Sequence, residues 1–234
     1  MQLKKRLAIV VVPMLAVITA ANCGRADASD NGSNARAASG PTQAAAGEVG
    51  LPADPAVQLV VAPDGNEVRY RIREQLVGVD LPNDAVGATG DVTGGIAFDT
   101  AGAVIPSASK FTANVALLKS DKDRRDGYVR RRILDTEQFP TVTLAPTAVR
   151  GITFPLPASG SKTFQMVADL TVKGVTKPTT WQVDARFDHG RVTGTAATTF
   201  TFAEFGLEQP RVPVLLSVAD SIRLEYTFSL VPKS

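Results

Sequence analysis

Few residues in this chain can do covalent or acid–base chemistry. His189 is the only histidine and Cys23 the only cysteine among 234 residues. A lone histidine cannot build a three-histidine metal site. It also lies in Asp188-His189-Gly190-Arg191, a run that reads as a hairpin turn and is a poor position for acid–base work. One cysteine excludes an intrachain disulfide and a cysteine-based metal cluster. Aspartate and glutamate are plentiful, but they alternate outward along apparent strands and form no conspicuous catalytic pair. G-x-G-x-x-G, P-loop and H-E-x-x-H motifs do not occur. The expectation is therefore no catalytic residues, no metal and no cofactor. Two kinds of chemistry remain: acylation of Cys23, and apolar binding by side chains that share one face of a sheet.

Cys23 follows a segment that reads as an export signal. Lys4, Lys5 and Arg6 precede an apolar run, Leu7 to Ala21, of about 15 residues, the length of a signal h-region and short for a membrane span. An N-terminal anchor helix is the alternative. With Ala20-Ala21-Asn22 before it and Gly24 after it, Cys23 fits a lipoprotein cleavage site, with residues 1–22 removed and diacylglycerol attached to the cysteine. Ala26-Asp27-Ala28 offers a competing site for ordinary secretion. Removing the three cations of residues 1–22 from the formal charge of +2 leaves −1. The mature chain is then near neutral, with no global electrostatic case for nucleic-acid binding. Residues 23–56 are rich in Ala, Gly, Ser, Asn, Asp and Pro and read as a flexible tether. The expected location is the cell envelope, on a membrane through the lipid or else periplasmic or secreted. A homodimer stays open as an assembly.

Residues 57–234 read as one all-β domain. In Asp169 to Pro178, DLTVKGVTKP, one strand ends, a tight turn follows and the next strand begins. Phe164, Met166, Ala168, Leu170 and Val172 share a face before the turn. Trp181, Val183, Ala185 and Phe187 alternate with Gln182, Asp184, Arg186 and Asp188 after it. Period-two alternation on both sides marks a hairpin with one buried face. Val68, Tyr70 and Ile72 form a further alternating set, as do Phe111, Ala113, Val115 and Leu117, and the run Ile222 to Leu230. The candidate ligand lining is Phe111, Val115, Phe164, Met166, Leu170, Trp181, Phe187 and Phe200. Met166 and Trp181 lead because Met adapts to irregular apolar shapes and Trp offers a large face. The alternative is that these side chains simply fill the core.

One segment breaks the strand pattern. Asp123 to Leu134, DRRDGYVRRRIL, spaces Tyr128 or Val129, Ile133 and Leu134 as a helix would, with Asp123 able to cap it. Its arginines, Arg124, Arg125, Arg130, Arg131 and Arg132, read as a solvated face partly paired with Asp121, Asp123, Asp126 and Asp135. Arg125-Asp126 is expected to tie this helix to the rim of the domain.

The wording of these segments resembles the YceI-like family. DLTVKGVTKP is similar to the family signature GDLTIKGVTKPV. Leu118-Lys119-Ser120-Asp121, then Arg125-Asp126, then Gln138-Phe139-Pro140-Thr141, Phe205-Gly206 and Val218-Ala219-Asp220-Ser221-Ile222 follow in family order over about residues 66–231. The stretch 87–99, GATGDVTGGIAFD, departs from the family in carrying no histidine. The resemblance implies an extended, lipocalin-like, eight-stranded antiparallel β-barrel with one short helical insertion. It also implies non-enzymatic binding of an isoprenoid or similar long-chain lipid. An envelope stress or interaction barrel with a side-chain-filled interior is the second reading. An enzyme acting on an isoprenoid or quinone is the third.

Overall fold

The computed structural model describes residues 55–233. The predicted export signal, Cys23 and nearly all of the predicted tether lie outside them. Twelve strands and one helical segment follow in order: β1 (Val57–Val61), β2 (Glu67–Leu76), β3 (Asn83–Thr89), β4 (Val92–Phe98), β5 (Lys110–Asn114), β6 (Lys119–Ser120), α1 (Asp123–Tyr128), β7 (Thr141–Arg150), β8 (Ser159–Val172), β9 (Val175–Asp188), β10 (Arg191–Thr201), β11 (Leu215–Val218) and β12 (Ser221–Pro232).

The expected eight-stranded antiparallel architecture is present as a closed ring in the order β1, β4, β5, β7, β8, β9, β10, β12 and back to β1. The long β8–β9 hairpin is its backbone. Val172 pairs Val175 across a two-residue turn, and the register runs to Ser159 opposite Asp188. Lys173 and Gly174 in the turn have φ of 48° and 76°. Positive φ at both central positions is what a hairpin turn matched to strand twist requires. The next turn, His189-Gly190, repeats the device with φ of 48° and 94°. The lone histidine is thus an exposed turn residue beside Asp188.

Alternation decides which side faces in. On β9, Trp181, Val183, Ala185 and Phe187 are buried, while Gln182, Asp184, Arg186 and Asp188 are exposed. β7 bulges between Pro146 and Ala148, where proline has no N–H to give the ladder.

β12 uses one edge for β10 from Ser221 to Leu230. Its other edge is divided. Arg223 to Thr227 pair with β2, and Leu230 to Pro232 pair with β1. β2 carries β3, and β3 meets β6 through Gly87 and Ala88. An arm of β2, β3 and β6 therefore walls one end of the ring, while β1 and β4 wall the other. At the tip of the arm, Val77, Val79 and Leu81 stand exposed beside Val214 and Leu216, with the Val77 amide bonded to the Val214 carbonyl.

Three local expectations change. The set Phe111 to Leu117 is not one strand. β5 ends at Asn114, whose side chain accepts from the Ala116 amide and starts a 3-10 turn over Val115–Leu117. That turn buries Val115 and Leu118 and leaves Leu117 exposed. The helical insertion forms where predicted, but Lys122 precedes it without a side-chain cap. It also loosens to π winding over Val129–Leu134. Among the described residues Asp126 pairs with no arginine; it is buried and accepts from the amide and hydroxyl of Ser120, at 2.8 and 2.6 Å.

Candidate functional site

The interior of the ring holds two apolar cavities, one above the other. The first has a volume of about 70 Å³. Phe111, Phe164, Met166, Phe187, Tyr226 and Phe228 supply its aromatic and methionine wall together with Phe98, and Ile152 and Leu156 line it from the β7–β8 connection. The second has a volume of about 100 Å³. It lies between Tyr70 and Ile72 on the arm, Val115 and Leu118 at the 3-10 turn, Ile133 on the insertion, and Phe200 on β10.

The strands show what separates them. On β8, Met166 faces the first cavity and Val172 the second, with Ala168 and Leu170 between. On β10, Ala196 and Phe200 face opposite cavities, with Thr198 between. Ala113 on β5, Leu144 on β7 and Trp181 on β9 complete a packed band that lines neither. Leu144 stands opposite both Phe111 and Leu170. Leu170 and Trp181 are 1% and 2% exposed. The Trp181 Nε1–H donates to Thr179 Oγ1 at 2.9 Å, and that hydroxyl donates to the Ala168 carbonyl at 3.0 Å. The indole is therefore anchored in the band by its polar edge, with its bulk available for packing.

Of the predicted lining, Phe111, Phe164, Met166 and Phe187 fall in the first cavity and Val115 and Phe200 in the second. Leu170 and Trp181 form the partition. Sequence reasoning passed over Tyr226 and Tyr70, one in each cavity. An inward tyrosine on an alternating strand was the available signal, because a buried phenol needs a partner that a phenylalanine does not.

Tyr226 has that partner. Its hydroxyl donates to Asn66 Oδ1 at 3.0 Å, and the same oxygen accepts from the Ser229 amide at 3.0 Å. Its ring lies edge-on to Phe111, centroids 5.7 Å apart. Burial raises its pKa well above the ordinary phenol value. Tyr70 differs. It faces Gly87 in register on β3, and a Cβ at Gly87 would stand 2.4 Å from Tyr70 Cε1. Only glycine lets the phenol lie there. Its hydroxyl is buried and has no hydrogen-bond partner among the described residues. Burial pushes its pKa up to about 12, with Arg125 pulling against that and Asp126, Glu74 and Asp121 adding to it.

Those charges belong to the joint between arm and insertion. Arg125 Nη2 donates to Glu74 Oε1 at 2.6 Å, with the side chains 16% and 7% exposed, and Arg125 also pairs with Asp121. The helix is thus tied to the rim through Arg125, as its sequence suggested, with Glu74 of β2 as the partner. Among the described residues no group of three or more His, Cys, Asp or Glu side chains converges as a metal site would. No helix there is long and apolar enough to cross a membrane.

The YceI-like domain matches residues 59–230. The chain belongs to the YceI-like family. It is 30% identical over 129 residues to a UPF0312 protein of Pseudomonas putida strain GB-1, covering 51% of this chain and 62% of the relative. A second Pseudomonas putida protein, from strain W619, matches to the same extent. The chain spans about three fifths of the length of these curated relatives. In fold it is similar to a polyisoprenoid binding domain from Saccharophagus degradans implicated in plant cell wall breakdown. That match has a TM-score of 0.59 and 13% identity, over 76% of this chain and 99% of that one. It is also similar to Burkholderia cenocepacia BcnA, with a TM-score of 0.51 and 18% identity, over 72% of this chain and 96% of that one.

The YceI-like sequence elements have visible structural duties. Phe139 packs against Gly174 of the signature turn. The Pro140 carbonyl accepts from the amides of Val115 and Ala116, and the Phe202 amide, just before the Phe205-Gly206 element, donates to the Asp220 carbonyl. The signature itself forms the closed end of the β8–β9 hairpin.

Proposed function

We propose that this protein binds the apolar chain of an isoprenoid or similar amphiphilic lipid inside its strand ring, outside the cytoplasm and without catalysis. The observation that carries this reading is the pair of apolar cavities stacked along the inside of a YceI-like ring. Each methylene moved from water into such a cavity contributes about 0.8 kcal/mol before ordering costs. The polyisoprenoid-binding description of the Saccharophagus degradans domain, whose fold this chain shares, supports the choice of ligand class. Residues 1–22 direct export in this reading, Cys23 carries the diacylglycerol, and residues 23–56 tether the domain of residues 57–234 to the membrane.

Organic extraction of purified protein followed by mass spectrometry tests it. An isoprenoid or other long-chain lipid in the extract is the expected result. Extracts without lipid, together with Trp181 fluorescence unmoved by added polyprenols, would count against it. The anchor has its own test: a Cys23→Ala variant should leave the membrane fraction, and persistence there would rule out acylation as the anchor.

The partition favours one competing reading. Because Leu170 and Trp181 close the middle of the ring, a long chain cannot thread both cavities unless that band yields. An interaction protein with a filled interior needs no such movement. Lipid occupancy is again the measurement that separates the two.

A further inference from the structure

Six large apolar side chains stand exposed among the described residues, and five of them share one place. Val77, Val79 and Leu81 lie in the connection from β2 to β3, and Val214 and Leu216 lie at the entry to β11. The two pieces are fastened together. The Val77 amide donates to the Val214 carbonyl at 3.0 Å, and Leu76 pairs Leu215 in register. The ladder then slips between Leu215 and Ser217, at Leu216. Leu81 and Leu216 are 76% and 65% exposed. Leu117, the sixth, stands apart, beyond Lys119, which pairs Ala88 near the far end of β3. A cluster of large apolar side chains in water marks a surface that an apolar partner covers.

Charge and size say which partner. Asp84 is bonded to Arg71 and Arg73. Arg211 is one further cation beside the tip, and Asp80 and Glu208 are two further carboxylates. On the insertion, Arg125 is committed to Glu74 and Asp121, and Lys122 and Arg124 have Asp121 and Asp123 beside them. Arg130 donates to the Leu118 carbonyl, and Arg131 and Arg132 are matched in number by Asp135 and Glu137. The signs nearly cancel, so the tip selects by apolarity and not by charge. A stable protein interface takes about 800 Å² and about 20–30 residues from each side. Five side chains on one loop and one short strand offer far less. A lipid surface asks for less, because an apolar group need only reach the boundary between headgroups and acyl chains. A domain already tied to that surface needs little affinity of its own, since tethering keeps its local concentration high.

Chain length permits the approach. Residues 23–54 lie between Cys23 and the described residues, and fully extended they reach about 100 Å. β1 begins at the first-cavity end, where Val57 pairs Phe98. The tip lies at the opposite end, past Ile72 and Pro210 of the second cavity. The longest strands, β8 and β9, have 14 residues each, about 46 Å. The tether is thus long enough to bring the far end of the domain to the bilayer.

We propose that the tip formed by Val77, Val79, Leu81, Val214 and Leu216 docks onto a lipid bilayer, turning the second-cavity end of the ring toward the membrane. The choice of occupant rests on the Cys23 anchor reading; the patch itself does not.

Tryptophan fluorescence tests it, because Trp181 is buried in the partition and gives a constant background. The full chain, purified from the membrane fraction, is placed in phosphatidylcholine vesicles with or without doxyl-labelled acyl chains, which quench by contact. It is used as Leu81→Trp and, at the opposite end, as Ser161→Trp, an exposed position on β8 paired with Arg186. Leu81→Trp should emit at shorter wavelength than Ser161→Trp and lose about half of its added emission to the quencher, as a shallow interfacial group does. Ser161→Trp should lose none, and high salt should leave both results unchanged. Adding Val79→Asp and Leu216→Asp to Leu81→Trp should abolish the quenching while the anchor and the unfolding transition stay. Equal quenching at the two positions, or none at Leu81→Trp, would overturn the docking. A blue-shifted Leu81→Trp that the lipid quencher cannot reach would overturn it too, and would assign the tip to a second copy or to residues 1–54. Wild type absent from the membrane fraction would sink the anchor reading and the docking together. Wild type retained there, with Leu81→Trp unquenched, would sink the docking alone.

Discussion

At one end of the ring Tyr226 lies edge-on to Phe111 and gives its hydroxyl to Asn66. At the other, Tyr70 lies over Gly87 with its hydroxyl unpartnered among the described residues and the Arg125–Glu74 ion pair nearby. The walls differ as the tyrosines do. The first cavity is enclosed by strands of the ring and the β7–β8 connection. The second is enclosed partly by a side arm and by an insertion that is half α and half π. One end is finished as a core would be. The other keeps a buried polar atom and a wall built partly from outside the ring.

That comparison can be broken at the band between the cavities. Leu170→Ala should have the largest effect, a loss of about 2–5 kcal/mol in urea unfolding, since deleting a fully buried leucine leaves a void. It should also join the two cavities and raise uptake of longer polyprenols relative to shorter ones. Near wild-type stability would mean that the partition is slack. Asn66→Ala comes next. It removes the acceptor of the Tyr226 hydroxyl and the Ser229 amide and gives the first cavity the unsatisfied phenol of the second. The expected cost is about 2 kcal/mol, read by chemical unfolding.

Smaller effects sharpen the contrast. Tyr226→Phe should cost about 1 kcal/mol because it deletes a made hydrogen bond. Tyr70→Phe should be nearly neutral or slightly stabilising in lipid-free protein at neutral pH. Equal costs would erase the distinction between the tyrosines. High pH supplies a further check. Tyr70 is raised from 10.0 to about 12 in the folded state. The folded protein therefore holds the phenolic proton more tightly than the unfolded chain does. Its contribution is intact below about pH 10 and is lost as pH rises through the folded value. Tyr70→Phe should shrink the loss of stability measured between pH 10 and 12; an unchanged alkaline profile would show that the phenol is not buried as described.

Much of this architecture was legible in the sequence because alternation reports facing. The β8–β9 hairpin, the Asp188-His189-Gly190-Arg191 turn and the inward faces of β9 and β12 follow from period two and turn chemistry. So does the insertion, since DRRDGYVRRRIL changes period. Its attachment through Arg125 was also anticipated, though the partner Glu74 is 51 residues away and no local pattern could name it. What alternation cannot report is height along the ring. Leu170 and Met166 share a face of β8, yet one is partition and the other cavity wall. Trp181 and Phe187 differ in the same way on β9. Leu117 failed for another reason. Asn114 captures the Ala116 amide with its side chain, and this local competition ends the strand before its apolar pattern does.

The divided edge of β12 has a kinetic consequence. The arm is held to the ring by five register pairs with β12, and β3 is held on its far side by only two with β6. β8 and β9 share fourteen. Elements with fewer shared bonds open at lower free energy and expose their amides to hydrogen exchange first. Amides of β3 should exchange through a local opening well before those of β8 and β9, which wait for global unfolding. The ring then has one wall with a stability of its own, and that wall borders the second cavity.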